Sequence, residues 1–191
     1  MNPSSTSPTA AEPMSLIRLV SEHLADIDPT TLSIDQLNGR LSSIPEAAHL
    51  RFSTPEEFFS ALYLNLAEER LKYVANQCAS LAPCIDRIKT ALIAFMDFSF
   101  EHRPVTRLCA KARPVFAKFA EQINRRNVGN VLLFSAELNA IKVRHPQECA
   151  RLLQFALTDV VGIEIFENVH NEKLRSYLMK LVDILSSGFA A

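Results

Sequence analysis

Residues 32–52 read LSIDQLNGRLSSIPEAAHLRF and contain two short apolar patterns close together. The first pattern recurs every three or four residues, as on one side of a helix: Ile34, Leu37 and Leu41. The second marks another short helix: Ala47, Ala48 and Leu50. Pro45 is tolerated there because the first turn of a helix does not need its missing N–H. Only residues 42–44 separate the two patterns, so the stretch predicts a helix-turn-helix.

A longer helix follows directly, and it begins within residues 52–59, FSTPEEFF. The Thr54 side chain can cap the free N–H groups of its first turn, and Pro55 suits the first helical position. Glu57 stands three residues after Thr54, which completes a capping box. We therefore expect a helix from residue 54 to about residue 78. Its inward stripe is Phe59, Leu62, Leu66 and Tyr73.

Residues 32–59 resemble the DNA-binding region of the TetR (tetracycline-repressor) family of bacterial regulators. The second and third helices of that family follow the pattern LTxxxLAxxxGVSxxxLYxHFxSKEELL, onto which residues 32–59 fit without a gap. The matching or nearly matching positions are Leu32, Leu37, Leu41, Phe52, Thr54, Glu56 and Glu57. The resemblance implies a homodimeric transcriptional regulator that binds a double-stranded DNA operator under the control of a small apolar or aromatic effector.

The resemblance also implies which side chains would meet DNA: Ser33, Arg40, Ser43, His49 and Arg51. Ser33 stands where the family has a phosphate-binding threonine or serine, and His49 stands where it has a tyrosine that meets the DNA backbone. Ser43 can replace the capping serine of the recognition helix, because Ile44 occupies that position. Pro55 replaces a lysine and thereby removes a usual phosphate contact.

The charge of the amino-terminal part opposes DNA binding. Residues 1–60 contain three arginines and eight acids, whereas residues 61–191 contain 17 cations and 13 acids. Proteins gain DNA affinity when their cations release counterions from the phosphates. The acidic helix-turn-helix domain, residues 14–58, which we call the head, weakens that contribution. The alternative function is therefore a TetR-like fold that has lost operator binding and acts through a protein partner or as a ligand-binding module.

Composition predicts an all-α protein of about nine helices. Only four glycines occur in 191 residues, and no run alternates apolar and polar residues as a strand does. We divide the chain into a disordered tail (1–13), a helix-turn-helix domain (14–58) and an effector-binding and dimerisation domain (59–191). No apolar run could span a bilayer and no secretory signal is evident, so we expect a cytoplasmic protein. The four cysteines form no CxxC pair and are expected to be buried thiols.

Phenylalanine is frequent in the predicted body and offers candidates for ligand binding. The resemblance implies an effector cavity among the fourth to eighth helices, and six phenylalanines could line it: Phe95, Phe98, Phe116, Phe119, Phe134 and Phe155. Ordinary core packing is the alternative for each of them. His102, Arg103 and Arg107 cluster near a helix end, where they could meet an anionic ligand or stabilise a helix C-terminus.

The last two long helices, residues 146–169 and 172–187, are rich in apolar side chains. The first of them is apolar on nearly all sides, so it must be covered on more than one face. The resemblance implies that the two helices form a four-helix dimer interface, and we expect a homodimer through them. The alternative is that both helices belong to the core of a monomer.

One series of carboxylates and a histidine could indicate a metal-dependent enzyme instead of a regulator. Glu164, Glu167 and His170 fall on one helical side, and Glu167 and His170 have the spacing of a di-iron ligand pair. A second such pair is missing, as are the phosphate-binding and hydrolase motifs. We therefore expect no catalytic residues, no metal and no cofactor.

Overall fold

The computed structural model describes residues 15–188, and helices account for about three-quarters of them. The eight α-helices are α1 (Leu16–Leu19), α2 (Ile34–Ser42), α3 (Pro55–Cys78), α4 (Ile85–Glu101), α5 (Arg103–Ala112), α6 (Ala117–Ala140), α7 (Pro146–Glu167) and α8 (Glu172–Gly188). No strand occurs within residues 15–188, which confirms the all-α prediction. The predicted tail, residues 1–13, and the predicted first helical residue, Met14, lie outside the described residues.

Local capping explains where most of the helices begin. Ser33 and Gln36 form a capping box at α2, in which each side chain bonds the backbone N–H of the other residue. The Thr54 hydroxyl accepts from the Glu57 N–H at 3.1 Å, as predicted for α3. Proline lies in the first turn of α3, α5 and α7, where its missing N–H has no cost.

The second helix of the predicted helix-turn-helix is only a 3₁₀ turn, Pro45–Ala47. Ile44 provides no side-chain cap for it. The chain beyond it is held extended by Asn38, whose amide donates to the Phe52 carbonyl at 3.1 Å and accepts from the Phe52 N–H at 3.2 Å. The Phe52 N–H is therefore not free to extend the turn into a helix. The sequence pattern predicted a longer helical element than the structure has.

The apolar stripe of Ile17, Val20, Leu24 and Ile27 predicts a first helix from residue 14 to about residue 27, and α1 is shorter than that. It runs from Leu16 to Leu19 and continues as a π-helical turn over Val20–Leu24. Its buried face includes Leu19, Val20 and Leu24. Because these residues still point inward, the change of helical pitch leaves the packing of the head intact.

Two apolar cores hold the molecule together, and the long helix α3 belongs chiefly to the first. The first core joins the head to the first half of α3, to α5 and to the start of α6. Within it the rings of Phe59 and Phe116 stack with centroids 5.4 Å apart, and Tyr63 meets Phe119 edge-on at 5.8 Å. The second core lies between α4, the end of α6, α7 and α8.

The predicted boundary between residues 58 and 59 therefore does not separate two cores. Phe58 and Phe59 are both fully buried in the first core. Glu56 also crosses the boundary, because its Oε1 accepts from the N–H of Lys118 at 2.8 Å and of Phe119 at 3.2 Å. A carboxylate at a helix N-terminus satisfies free N–H groups and the helix dipole. The head is thus bonded to the start of α6.

Candidate functional site

The candidate ligand site is a cleft of about 410 Å³ on α3, between α4 and α6. Its walls are mainly apolar and include Leu71 and Val74 from α3, Ala91 from α4, and Leu133 from α6. Leu71 and Leu133 are each more than half exposed, so the cleft opens to solvent between them. A largely apolar concave site with a few polar groups is typical of small-molecule binding.

Arg70 is the charged residue deepest in this cleft, with 9% of its surface exposed. Its guanidinium carbon lies 3.9 Å from the centroid of the Phe95 ring, which is a cation–π contact. The Tyr63 hydroxyl is its hydrogen-bonding partner, and burial lowers the pKa of Arg70 below its ordinary value. Burial likewise raises the pKa of Tyr63, so the phenol stays neutral and does not supply a counter-charge.

Two further arginines, Arg125 and Arg126, line the cleft from α6. The guanidinium of Arg125 pairs with Glu121 one turn earlier, Nη2 to Oε1 at 2.6 Å. Arg126 is exposed and forms no ion pair within residues 15–188. The cleft consequently has an uncompensated positive charge at its base and another at its rim.

The cleft continues into a second hollow of about 260 Å³ towards the end of α3, and the two share Leu71, Val74, Ala91, Leu133 and Phe134. At the far end Arg87 and Glu137 form an ion pair of 3.2 Å through Glu137 Oε1. The other oxygen of Glu137, Oε2, is buried without a hydrogen-bond partner. The end of the site at Arg70 therefore has an unpaired cation, whereas the far end has an ion pair and one free carboxylate oxygen.

The six predicted ligand-binding phenylalanines separate into three groups. Phe95 and Phe134 line the cleft. Phe98, Phe116 and Phe119 pack in the first core instead, in ring contact with Tyr73, Phe59 and Tyr63. Phe155 is 70% exposed on the outer side of α7. Four of the six candidates therefore pack in the first core or lie on the surface.

Sequence reasoning missed Arg70, although the sequence contains a signal for it. Leu62, Leu66 and Arg70 are spaced four residues apart, so the arginine continues the inward stripe of α3. A cation on a buried stripe needs a partner, and that requirement could have marked the position. The identity of its neighbours, Phe95 and Tyr63, depends on how α4 packs and is not readable from the spacing.

The predicted DNA-contact residues all lie on the surface of the head. Ser33, Arg40, Ser43, His49 and Arg51 are exposed. Several are engaged within the chain: Ser33 caps α2, and Ser43 donates to the Arg40 carbonyl at 2.7 Å. Arg40 forms a bidentate pair with Asp26 at 2.7 and 3.0 Å, and Arg51 donates to the carbonyls of Ala48 and Leu50.

The cluster of His102, Arg103 and Arg107 meets a helix C-terminus, which was one of its two sequence interpretations. Arg107 donates to the carbonyls of Ile165 and Phe166 in the last turn of α7. Arg103 donates to the Phe100 carbonyl. Cations stabilise the free carbonyls and the negative dipole end of a helix. These contacts explain the cluster without a bound ligand.

The predicted carboxylate–histidine series does not assemble a metal site. Glu164 is buried, and both of its oxygens accept from Arg175, Nε at 2.6 Å and Nη2 at 2.8 Å. Asp97 also accepts from Arg175. His170 instead pairs with Glu172 at 2.8 Å. No group of three metal-binding side chains is placed to hold an ion in the described part of the chain.

A second candidate site is an apolar surface on the outer sides of α7 and α8. Five large side chains of these helices are at least half exposed: Leu152, Phe155, Phe166, Tyr177 and Ile184. Helical spacing puts Leu152, Phe155 and Phe166 on one side of α7, and Tyr177 and Ile184 on one side of α8. Exposed large apolar side chains that share one side of a helix are candidates for an interaction site. We call these five residues the α7–α8 face.

Comparison of the chain with protein-family models and with curated proteins finds no match. None of the helices formed by residues 15–188 is both long and apolar enough to cross a membrane. The geometry of the cleft, the head and the α7–α8 face is therefore the basis for the function proposed below.

Proposed function

We propose that this protein is a TetR-like, ligand-responsive transcriptional regulator that works as a homodimer. A small molecule binds in the cleft on α3, and the head binds double-stranded operator DNA. The observation that carries the proposal is the position of α3. Its first half forms the core of the head through Phe58, Phe59 and Leu62, whereas Arg70, Leu71 and Val74 of the same helix line the cleft.

The mechanism follows from that continuity. A ligand that pushes α4 and α6 apart, or draws them together, also shifts the middle of α3. Because α3 is a single helix from Pro55 to Cys78, this shift reaches the head. In a dimer the distance between two heads changes, and DNA half-sites are about 34 Å apart. The ligand changes DNA affinity only to the extent that it prefers one state of the protein.

The α7–α8 face supports the dimer part of the proposal. Two-fold packing of this face on its copy would remove Phe155 and Ile184 from water and would form a four-helix interface. Both helices also belong to the second core, which provides a rigid base. Homodimer interfaces are typically apolar at their centre, as this face is.

A gel-shift titration tests DNA binding. The full chain is titrated with the DNA upstream of its own gene at two salt concentrations, beside a scrambled DNA of equal length. Regulator function predicts preferential binding to the upstream DNA and a steep loss of affinity with salt. The variant Arg51→Gln is expected to weaken binding, whereas Arg18→Gln, a matched exposed arginine of the head paired with Glu22, leaves it unchanged.

A second candidate function is favoured by the charges of the head. Two of the three arginines in residues 15–54 are paired with acids, Arg18 with Glu22 and Arg40 with Asp26, and Glu46 is exposed on the 3₁₀ turn. Such a surface suits a basic protein partner. If the upstream DNA is bound no better than scrambled DNA at either salt concentration, the operator proposal is overturned and the protein-partner function remains.

A further inference from the structure

We propose that the cleft on α3 takes a small amphipathic anion, with an aromatic or aliphatic body and one acidic group that Arg70 binds. This assignment rests on the proposed function, because it names the class of ligand for the same cleft. It commits to an organic acid rather than to the neutral apolar effector expected from the sequence.

Arg70 is a buried cation that has no carboxylate partner among residues 15–188. Only 9% of its surface is exposed, and the groups that interact with it are the Phe95 ring, the Tyr63 hydroxyl and the Cys109 thiol. None of these groups is an anion, since burial raises the pKa of both Tyr63 and Cys109. A guanidinium has five N–H donors, so most of its hydrogen-bonding capacity is left for a ligand.

The other deeply buried arginine of the chain provides an internal comparison. Arg175 is 6% exposed and is neutralised by Glu164 and Asp97, both within hydrogen-bonding contact. Burying a charge is costly unless it is paired, and Arg175 follows that rule. Arg70 departs from it at the base of an open cleft. An acid supplied by the ligand would restore the pairing that Arg175 has within the chain.

The surroundings of Arg70 define the remainder of the ligand. The Phe95 ring covers one face of the guanidinium, which leaves the N–H edge available for a two-point contact with a carboxylate. Leu71, Val74 and Leu133 provide an apolar wall for a ring or an alkyl chain. Arg126 at the rim adds a positive field that attracts an anion from solvent.

The opposite end of the site fixes the direction of the ligand. Glu137 lies there with its Oε2 buried and unpaired, and Arg87 is already paired with Glu137 Oε1 at 3.2 Å, so this end offers a ligand an acceptor but no unpaired cation. A monoanion thus binds with its acid at Arg70 and its apolar body towards Glu137. A hydroxyl or amine at the far end of the body would have an acceptor in Glu137 Oε2.

Two fluorescent probes that differ in one charged group test this assignment. The anion 8-anilinonaphthalene-1-sulfonate and the neutral N-phenyl-1-naphthylamine share one aromatic skeleton, and each is titrated against the full chain. We expect the anion to bind more tightly than the neutral probe. A charged hydrogen-bonded contact of this kind corresponds to about a tenfold difference in Kd.

Three variants localise the binding. Arg70→Met keeps the side-chain length and should lower affinity for the anion about tenfold without changing that for the neutral probe. Arg113→Gln is the control, since Arg113 is an exposed arginine outside the cleft that donates to Asn124, and it should leave the affinity for both probes unchanged. Gly129→Leu fills the cleft, because a Cβ at Gly129 meets nothing within 4 Å, and it should abolish binding of both probes.

Folding of each variant is checked by circular dichroism and thermal unfolding. Arg70→Met removes an unpaired buried charge and should leave the unfolding temperature unchanged or raised. If that variant does not fold, Arg70→Lys takes its place, because it keeps the charge but loses the planar two-point contact. Arg70→Lys should then bind the anion more weakly than the natural chain.

The outcomes separate this inference from the proposed function. Equal affinity for both probes, insensitive to Arg70→Met but abolished by Gly129→Leu, overturns the anion assignment and leaves the ligand cleft intact. Binding that Gly129→Leu does not change overturns the cleft as a ligand site, and with it this inference. A preference for the anion that disappears only in the Arg70 variants supports both the anion assignment and the cleft as the ligand site.

Discussion

Single residues in this protein show how burial determines charge and reactivity. Cys109 is buried in the first core, 4% exposed, and burial raises the pKa of its thiol from the ordinary value of 9.0 to about 12. Arg70 lies close enough to favour the thiolate, yet burial has the larger effect. Thiolates are the reactive form of cysteine, so Cys109 should be chemically inert in the folded protein.

Alkaline pH should destabilise the fold through Cys109. The unfolded chain releases the thiol proton above about pH 9, whereas the folded chain retains it, so the free energy of unfolding falls as pH rises by up to about 1.4 kcal/mol per pH unit. Urea unfolding at about pH 8 and about pH 10.5 measures this change. Cys109→Ala should show a smaller decrease, relative to its own stability near pH 8, than the natural chain.

At the residue scale, the sequence predicted which side chains are exposed better than it predicted which residues they contact. The exposed positions of Ser33, His49 and Arg51 follow from their place on the predicted helices, and two of the six candidate phenylalanines, Phe95 and Phe134, line the cleft. The sequence could not place the other four, because an apolar ring fits a core, a cavity or an interface equally well. Which of these applies depends on the helix packed opposite, and that contact is not encoded in local spacing.

Long helices were predictable where a cap or proline marked their start. Helix α3 begins at Pro55 and ends at Cys78, within a residue of the prediction, and α8 spans Glu172–Gly188. The element that failed was the short one after Pro45, because three residues contain too little periodicity to distinguish an α-helix from a 3₁₀ turn. Its end depends on Asn38, which is 14 residues away from Phe52 in sequence.

Gly129 lies inside α6, and the helix runs unbroken through it from Ala117 to Ala140 although glycine is a poor helix former. A Cβ at this position meets no atom within 4 Å. Gly129→Ala should therefore stabilise the protein by about 0.5–1 kcal/mol, since alanine restricts the unfolded chain and favours the helix. Thermal and urea unfolding would measure it.

Gly162→Ala is the matched control for that change. Gly162 lies within α7 and its Cβ position is equally open, but it does not line the cleft. Both variants should gain similar stability. A loss of stability in Gly129→Ala alone would contradict the open geometry at the cleft wall.

The whole molecule is organised by two cores and one exposed apolar surface, and only part of this was predictable. Hydropathy indicated that α7 and α8 needed cover, and the structure leaves the α7–α8 face exposed in one chain. The sharing of the first core between the head and α5 and α6 was not predicted, because Phe59 and Phe119 are 60 residues apart. Contacts over such separations are set by topology rather than by any local pattern.

Lysines introduced into the α7–α8 face by substitution should dissociate the proposed dimer. Light scattering of the natural chain is expected to give twice the monomer mass, and Phe155→Lys combined with Ile184→Lys should give a folded monomer. Leu64→Lys, at a position 36% exposed on α3, is the control and should remain dimeric. A natural chain that is monomeric at high micromolar concentration would rule out this interface.

The bond from Glu56 to the start of α6 has a consequence for protein engineering. Residues 15–58 share their interior with Phe119 and their hydrogen bonds with Lys118, so they are not a portable module. A chimera that moved only this segment onto another regulator would expose half of an apolar interior and leave the Glu56 carboxylate without the two N–H donors that it has here. Transplantation should instead carry everything through Ile123, the last residue of that shared interior.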